Sequence, residues 1–127
     1  MKVQGRHLVL LASFGLILQG CTAPGHVRDQ ASRTLLPACL EIFNSQRYQH
    51  DSQGPISGTP VFSLAVSEDG KDQICNYATG GSLATTEEGR RVFALSQCER
   101  RRTAWIQRNQ RPMNECRVFA IGNRIVY

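Results

Sequence analysis

The chain has 127 residues, 41% of them hydrophobic, with a net charge of +5 from 15 Lys and Arg against 10 Asp and Glu. That length leaves room for one small domain. Five cysteines in so short a chain suit an oxidising compartment, where disulfides persist and nucleic acid is not an expected partner.

The amino terminus is basic at Lys2 and Arg6, and an apolar run follows from Leu8 to Leu18. The run's 11 residues fall short of the roughly 20 that span a bilayer as a helix. The layout is that of a secretory leader. Its end, Leu18-Gln19-Gly20-Cys21, resembles the lipobox of bacterial lipoproteins. The resemblance implies a diacylglyceryl thioether on Cys21, cleavage after Gly20 and a further amino-terminal acyl chain such as palmitate. Two or three acyl chains make a stable anchor where one binds only marginally. Thr22 and Ala23 follow the cysteine, where an aspartate often signals inner-membrane retention in that family. The implied location is therefore the outer membrane, facing the periplasm. On this reading residues 1–20 are the signal peptide, 21–34 a lipidated tether of small and polar residues, and 35–127 a single domain. Loss of the leader's Lys2 and Arg6 lowers the net charge of +5 to +3.

From Leu35 the apolar residues Leu35, Cys39, Ile42 and Phe43 recur at helical spacing. Pro37 either opens this helix or kinks an earlier turn. Gly and Pro mark residues 49–60 as a loop. Val61–Val66 alternates as a strand, with Phe62, Leu64 and Val66 on one face. Asp69-Gly70 is a hairpin turn, and residues 72–78 return as the partner strand. The strongest helix signal lies in residues 79–109, with Thr85 and Glu88 spaced as a capping box at the helix start. Val92, Ala94, Leu95, Cys98, Trp105 and Ile106 form its expected inward stripe, and Arg102 is expected to lay its stem on that surface with its head in water. Pro112 breaks the pattern, and a closing hairpin turns over Gly122-Asn123. The order helix, hairpin, helix, hairpin predicts an α+β domain, with helices packed on one face of a small antiparallel sheet. The stretch from Ala94-Leu95 and Cys98 to Cys116 and Ala120 also resembles a recurrent small exported domain of proteobacteria, uncharacterised in activity.

With Cys21 lipidated, Cys39, Cys75, Cys98 and Cys116 remain, an even number for disulfides. Sequence proximity favours Cys98 with Cys116, and hence Cys39 with Cys75. A zinc site on these four would want close cysteine pairs, which the spacing does not offer, so no metal or cofactor is expected.

Catalytic chemistry has little footing. His26 and His50 accompany no nucleophile motif, and Glu68-Asp69 and Glu87-Glu88 have structural reasons at a turn and a helix start. Residues 78–82, ATGGS, lack the lysine of a phosphate loop. The sharpest candidate is the arginine-rich helix: Arg90, Arg91, Arg100, Arg101, Arg102 and Arg108. Guanidinium forks match phosphate or carboxylate in paired bonds. The expectation is a non-enzymatic envelope lipoprotein, held to the membrane by its lipid, that meets an anionic envelope component or partner protein through this helix. A cell-wall-active enzyme or accessory is the alternative, followed by lysozyme inhibition, to which a basic domain is ill matched.

Overall fold

The computed structural model describes residues 25–54, 58–80 and 85–127. Four helices, α1 (Gly25–Thr34), α2 (Pro37–Phe43), α3 (Gln46–Ser52) and α4 (Glu87–Asn109), pack against strands β1 (Val61–Val66), β2 (Gln73–Ala78), β3 (Arg117–Ile121) and β4 (Arg124–Ile125). The sheet is antiparallel in the order β2-β1-β3-β4. The fold is α+β, and Cys39–Cys75 and Cys98–Cys116 form the two disulfides.

The first helical stretch is three short helices. Residues 25–34, expected to belong to a tether, are helical because Val27, Ala31 and Leu35 repeat at four-residue spacing and are buried in the core. Arg33 and Asp29 add an exposed pair one turn apart, at 2.7 Å. The extended Leu36 (ψ 161°) then hands over to Pro37 in the first turn of α2, as the residue before a proline avoids helical angles. One side chain on β2 closes both helix ends: Gln73 donates Nε2 to the Thr34 carbonyl at 2.7 Å and accepts at Oε1 from the Leu36 amide at 2.8 Å. Ser45 caps α3, accepting from the Tyr48 amide. Part of the expected loop over 49–60 is therefore helical, through Ser52.

β1 is buried on both sides, so the helices occupy both faces of the sheet rather than one. Phe62 and Leu64 meet α1–α3, where Phe43, Tyr48, Phe62 and Phe119 stack with centroids 5.1–5.9 Å apart. Val61, Ser63 and Ala65 meet α4, whose Ala94 and Cys98 lie against them. A register shift between Phe62 and Ser63 sets Ala120 opposite Phe62 and Val118 opposite Ser63. The intervening Phe119 is the extra residue of a β-bulge, and its ring joins the Phe43 cluster.

The cap of α4 is Thr86, one residue later than expected, accepting from the Gly89 amide at 3.0 Å. Three residues after Thr86 stands Gly89, which has no carboxylate to return, so this cap is not a capping box. The buried repeat is Arg90, Ala94, Cys98. Val92, expected inside, is 60% exposed, and Phe93 is 44% exposed. The buried stripe follows four-residue spacing from Arg90, and the small side chains of Ala94 and Cys98 are what α4 sets against β1. Gln110 ends the helix in the left-handed region at φ 52°.

At the last hairpin Gly122 has φ 57°, and an added Cβ would lie 2.9 Å from the Thr59 methyl. The buried Tyr48 hydroxyl donates to the Gly122 carbonyl at 2.7 Å, stitching α3 to this turn. No described helix is long and apolar enough to cross a membrane.

Candidate functional site

The arginines of α4 have separate fates. Arg90 is buried at 2% exposure and presents nothing to solvent. Arg91 lies 3.7 Å from Glu87. Arg102 does not leave its head in water. Its guanidinium donates to the carbonyls of Met113 and Asn114 at 2.8–3.0 Å and to Glu99 at 3.0 Å, while Glu99 also accepts from the Cys116 amide at 2.8 Å. Glu99 and Arg102 thus fasten the segment after α4 to the helix, beside the Cys98–Cys116 bridge. Arg111 joins in, paired with Asp72 and Asp69 and set 5.1 Å over the Trp105 ring. Arg100 is exposed.

Arg101 and Arg108 come together. Seven residues apart, they stand on one side of α4 and line a groove of about 350 Å³ whose floor includes Ile74, the Cys39–Cys75 bridge and Trp105. A second hollow of about 380 Å³ shares Ile42, Cys75 and Arg101 with the first and adds Arg47, Asn76 and Tyr77. Together they form one trough between α2 and α4, along β2 from Gln73 to Tyr77. Arg47 is a site residue that the sequence did not suggest.

Among the described residues no carboxylate lines the trough. Nor does one come within salt-bridge distance of Arg47, Arg101 or Arg108 among the described residues, whereas Arg33, Arg91, Arg102, Arg111 and Arg124 each have at least one. Three unneutralised cations around a concave, partly apolar surface raise the local positive potential.

β2 is the outer strand of the sheet. The Ser67 amide bonds the Asp72 carbonyl at 2.9 Å. In an alternating antiparallel ladder the pairs Ala65↔Ile74 and Ser63↔Asn76 therefore exchange bonds with β1. Gln73, Cys75 and Tyr77 turn their main-chain groups outward into the trough. Arg101 marks this directly, donating Nη1 to the Cys75 carbonyl at 3.0 Å. The side-chain nitrogen Nδ2 of Asn76 is buried there without an acceptor among the described residues.

A separate hollow of about 320 Å³ lies beside Arg47, His50, Asp51 and Thr79. His50 and Asp51 are 3.6 Å apart, and among the described residues no serine or cysteine lines it. Among the described residues no cluster of His, Cys, Asp and Glu could hold a metal. The leader, Cys21, and Gly81 and Ser82 of the phosphate-loop candidate lie outside the described residues. Comparison of the chain with protein-family models, curated proteins and solved structures gave no match.

Proposed function

We propose that the protein is a lipid-anchored lipoprotein of the bacterial envelope, facing the periplasm from the outer membrane, with a non-catalytic role in binding an anionic partner. The observation that carries the anchor is cysteine pairing. Cys39 bonds Cys75 and Cys98 bonds Cys116, so Cys21, at the end of the lipobox-like leader, is the one cysteine without a place in a bridge. The binding role rests on Arg101 and Arg108, whose unneutralised guanidiniums flank the β2 trough.

The anchor so proposed is short. Val27 and Ala31 are core residues, and only Thr22, Ala23 and Pro24 stand between Cys21 and Gly25. Four extended links reach at most about 14 Å, which holds the domain against the bilayer surface rather than on a long leash.

Intact mass of the protein from bacterial membranes, with and without reduction, tests the anchor beside a Cys21→Ala control. The expected chain starts at Cys21, carries acyl chains that the control lacks, and gains four hydrogens on reduction, two for each bridge. An unacylated chain in the unmutated protein would refute the lipoprotein reading.

A further inference from the structure

We propose that the β2 trough receives an extended acidic segment of a partner polypeptide, added to the sheet as a fifth strand. This rests on the anion-binding role proposed above and names the partner's chemistry. β2 is an outer strand with the main-chain groups of Gln73, Cys75 and Tyr77 directed away from β1. Such a row of donors and acceptors is a template for another strand. Exposed edges are ordinarily covered or blunted. Here the edge is recessed between α2 and α4, and its length from Gln73 to Tyr77 admits four or five residues at about 3.4 Å each.

Charge selects the occupant. A second copy of this chain would bring Arg101 and Arg108 toward their own counterparts, which disfavours pairing of like edges. A lipid headgroup or free phosphate would satisfy the guanidiniums but not the row of main-chain groups. A polypeptide with carboxylates at alternate positions satisfies both, because alternate side chains of a strand share one face. Its apolar residues, on the opposite face, find Ile42 of α2.

Arg101 supplies the exchange. Its bond to the Cys75 carbonyl is given up when the partner's carboxylate arrives, since a charged acceptor binds a guanidinium more strongly than a carbonyl does. The freed carbonyl then accepts an amide of the incoming strand.

The test uses the full acylated chain in neutral detergent micelles. The probe is a capped, labelled heptapeptide alternating glutamate and valine, beside the same peptide with alternate amides N-methylated in both possible phases, and phosphatidylglycerol vesicles. Expected are saturable binding of the first peptide, weakened about tenfold or more by N-methylation in one phase only, and slowed hydrogen exchange at the Cys75 and Tyr77 amides. Arg101→Glu and Arg108→Glu should each weaken binding about tenfold or more. The Arg108 side chain makes no hydrogen bond or ion pair within the described fold, so that variant, shown by urea unfolding to remain folded, separates lost binding from lost structure. Equal binding of both N-methylated peptides would overturn strand addition and leave a general anion site. Binding of the vesicles with none of the peptide would overturn the polypeptide partner. Dimerisation abolished by the same variants, with no peptide bound, would assign the edge to a second copy and overturn the proposal. Absence of any anion binding would overturn the proposal together with the binding role on which it rests.

Discussion

The buried Tyr48 hydroxyl offers a test of how the amino-terminal helices are tied to the last hairpin. Tyr48→Phe keeps the ring, with its neighbours Phe43 at 5.1 Å, Tyr77 at 5.2 Å and Phe62 at 5.4 Å, and removes only the hydroxyl, which donates to the Gly122 carbonyl and meets the Ser52 side chain. An orphaned buried acceptor costs about 1–3 kcal/mol. Tyr48→Ala also loses the ring and leaves a cavity, for a further cost of about 3–5 kcal/mol. Both are read by urea unfolding with the disulfides intact. The pH dependence sharpens the test, because burial pushes the Tyr48 phenol well above its ordinary value. Below the unfolded tyrosine's value of about 10 both states hold the proton, and the full advantage of the tyrosine is present. Above it the unfolded chain releases a proton that the native state retains. Wild-type stability then falls by about 1.4 kcal/mol per pH unit more than that of the phenylalanine variant. The deficit of Tyr48→Phe should therefore shrink to nothing about one to two units above pH 10. A variant as stable as wild type at pH 7, or a deficit that holds constant to pH 11.5, would refute this account of the bond.

The remaining expectations concern the segment after α4, the bridges and the choice among arginines. Arg102→Ala should cost about 1–3 kcal/mol by freeing the Met113 and Asn114 carbonyls, and Arg102→Lys should not restore it, because an ammonium cannot reproduce the fork; a full rescue would contradict the clamp. Opening the Cys39–Cys75 bridge, with a sequence separation of 36, should cost about 4 kcal/mol, and opening Cys98–Cys116, with a separation of 18, about 3 kcal/mol; paired serine variants in thermal melts give the order, and the reverse order would count against loop entropy as the main term. The Ser67 hydroxyl and the Lys71 amide, aided by Arg111, hold the Asp69 carboxyl below its usual range. Its contribution is present above the ordinary carboxylate value and is lost as pH falls through the lower native one, so Asp69→Asn should flatten the acid limb of the stability profile. Arg100→Glu should leave binding of the acidic peptide within about twofold of wild type, since Arg100 lines neither hollow; a loss equal to that of Arg108→Glu would show that the helix acts as a diffuse cationic face.

Local signals carried much of the fold. Pro37, Asp69-Gly70 and Gly122-Asn123 each demand a particular backbone and mark their elements in the sequence. Alternation in Val61–Val66 was also legible, but alternation does not reveal whether the polar-looking face meets water or another helix. Val61, Ser63 and Ala65 are small or β-branched, and α4 covers them. Val27 and Ala31 were hidden because two apolar residues among ten make a short stripe, which becomes a helix only when Leu35 and the Phe43 cluster receive it. The arginines were visible as a group, but their sorting was not. Whether Arg102 meets solvent or a carbonyl depends on where residues 113–116 return, a matter of tertiary approach rather than spacing. Arg47 entered the trough for the same reason, since β2 is an edge only because β3 takes the other side of β1.

If β2 is a docking edge as proposed, Arg101 resolves a conflict that the topology creates. A recessed outer strand needs protection from indiscriminate pairing, and a docking edge must stay open to its partner. A proline or a bulge in β2 would give the first at the expense of the second. A guanidinium bonded to the central Cys75 carbonyl gives both. A neutral strand that displaces Arg101 leaves that cation without its acceptor in a groove that no described carboxylate lines, and loses there what it gains from one main-chain bond. An acidic strand returns an acceptor to Arg101 as it takes the carbonyl, so its net gain includes both bonds. On the proposed mode of binding, selectivity for acidic over neutral segments therefore resides in the exchange at Arg101. Arg101→Ala should then bind a neutral strand peptide better than wild type does, while it binds the acidic one worse. A variant that weakens both alike would show Arg101 to be a plain attractive charge.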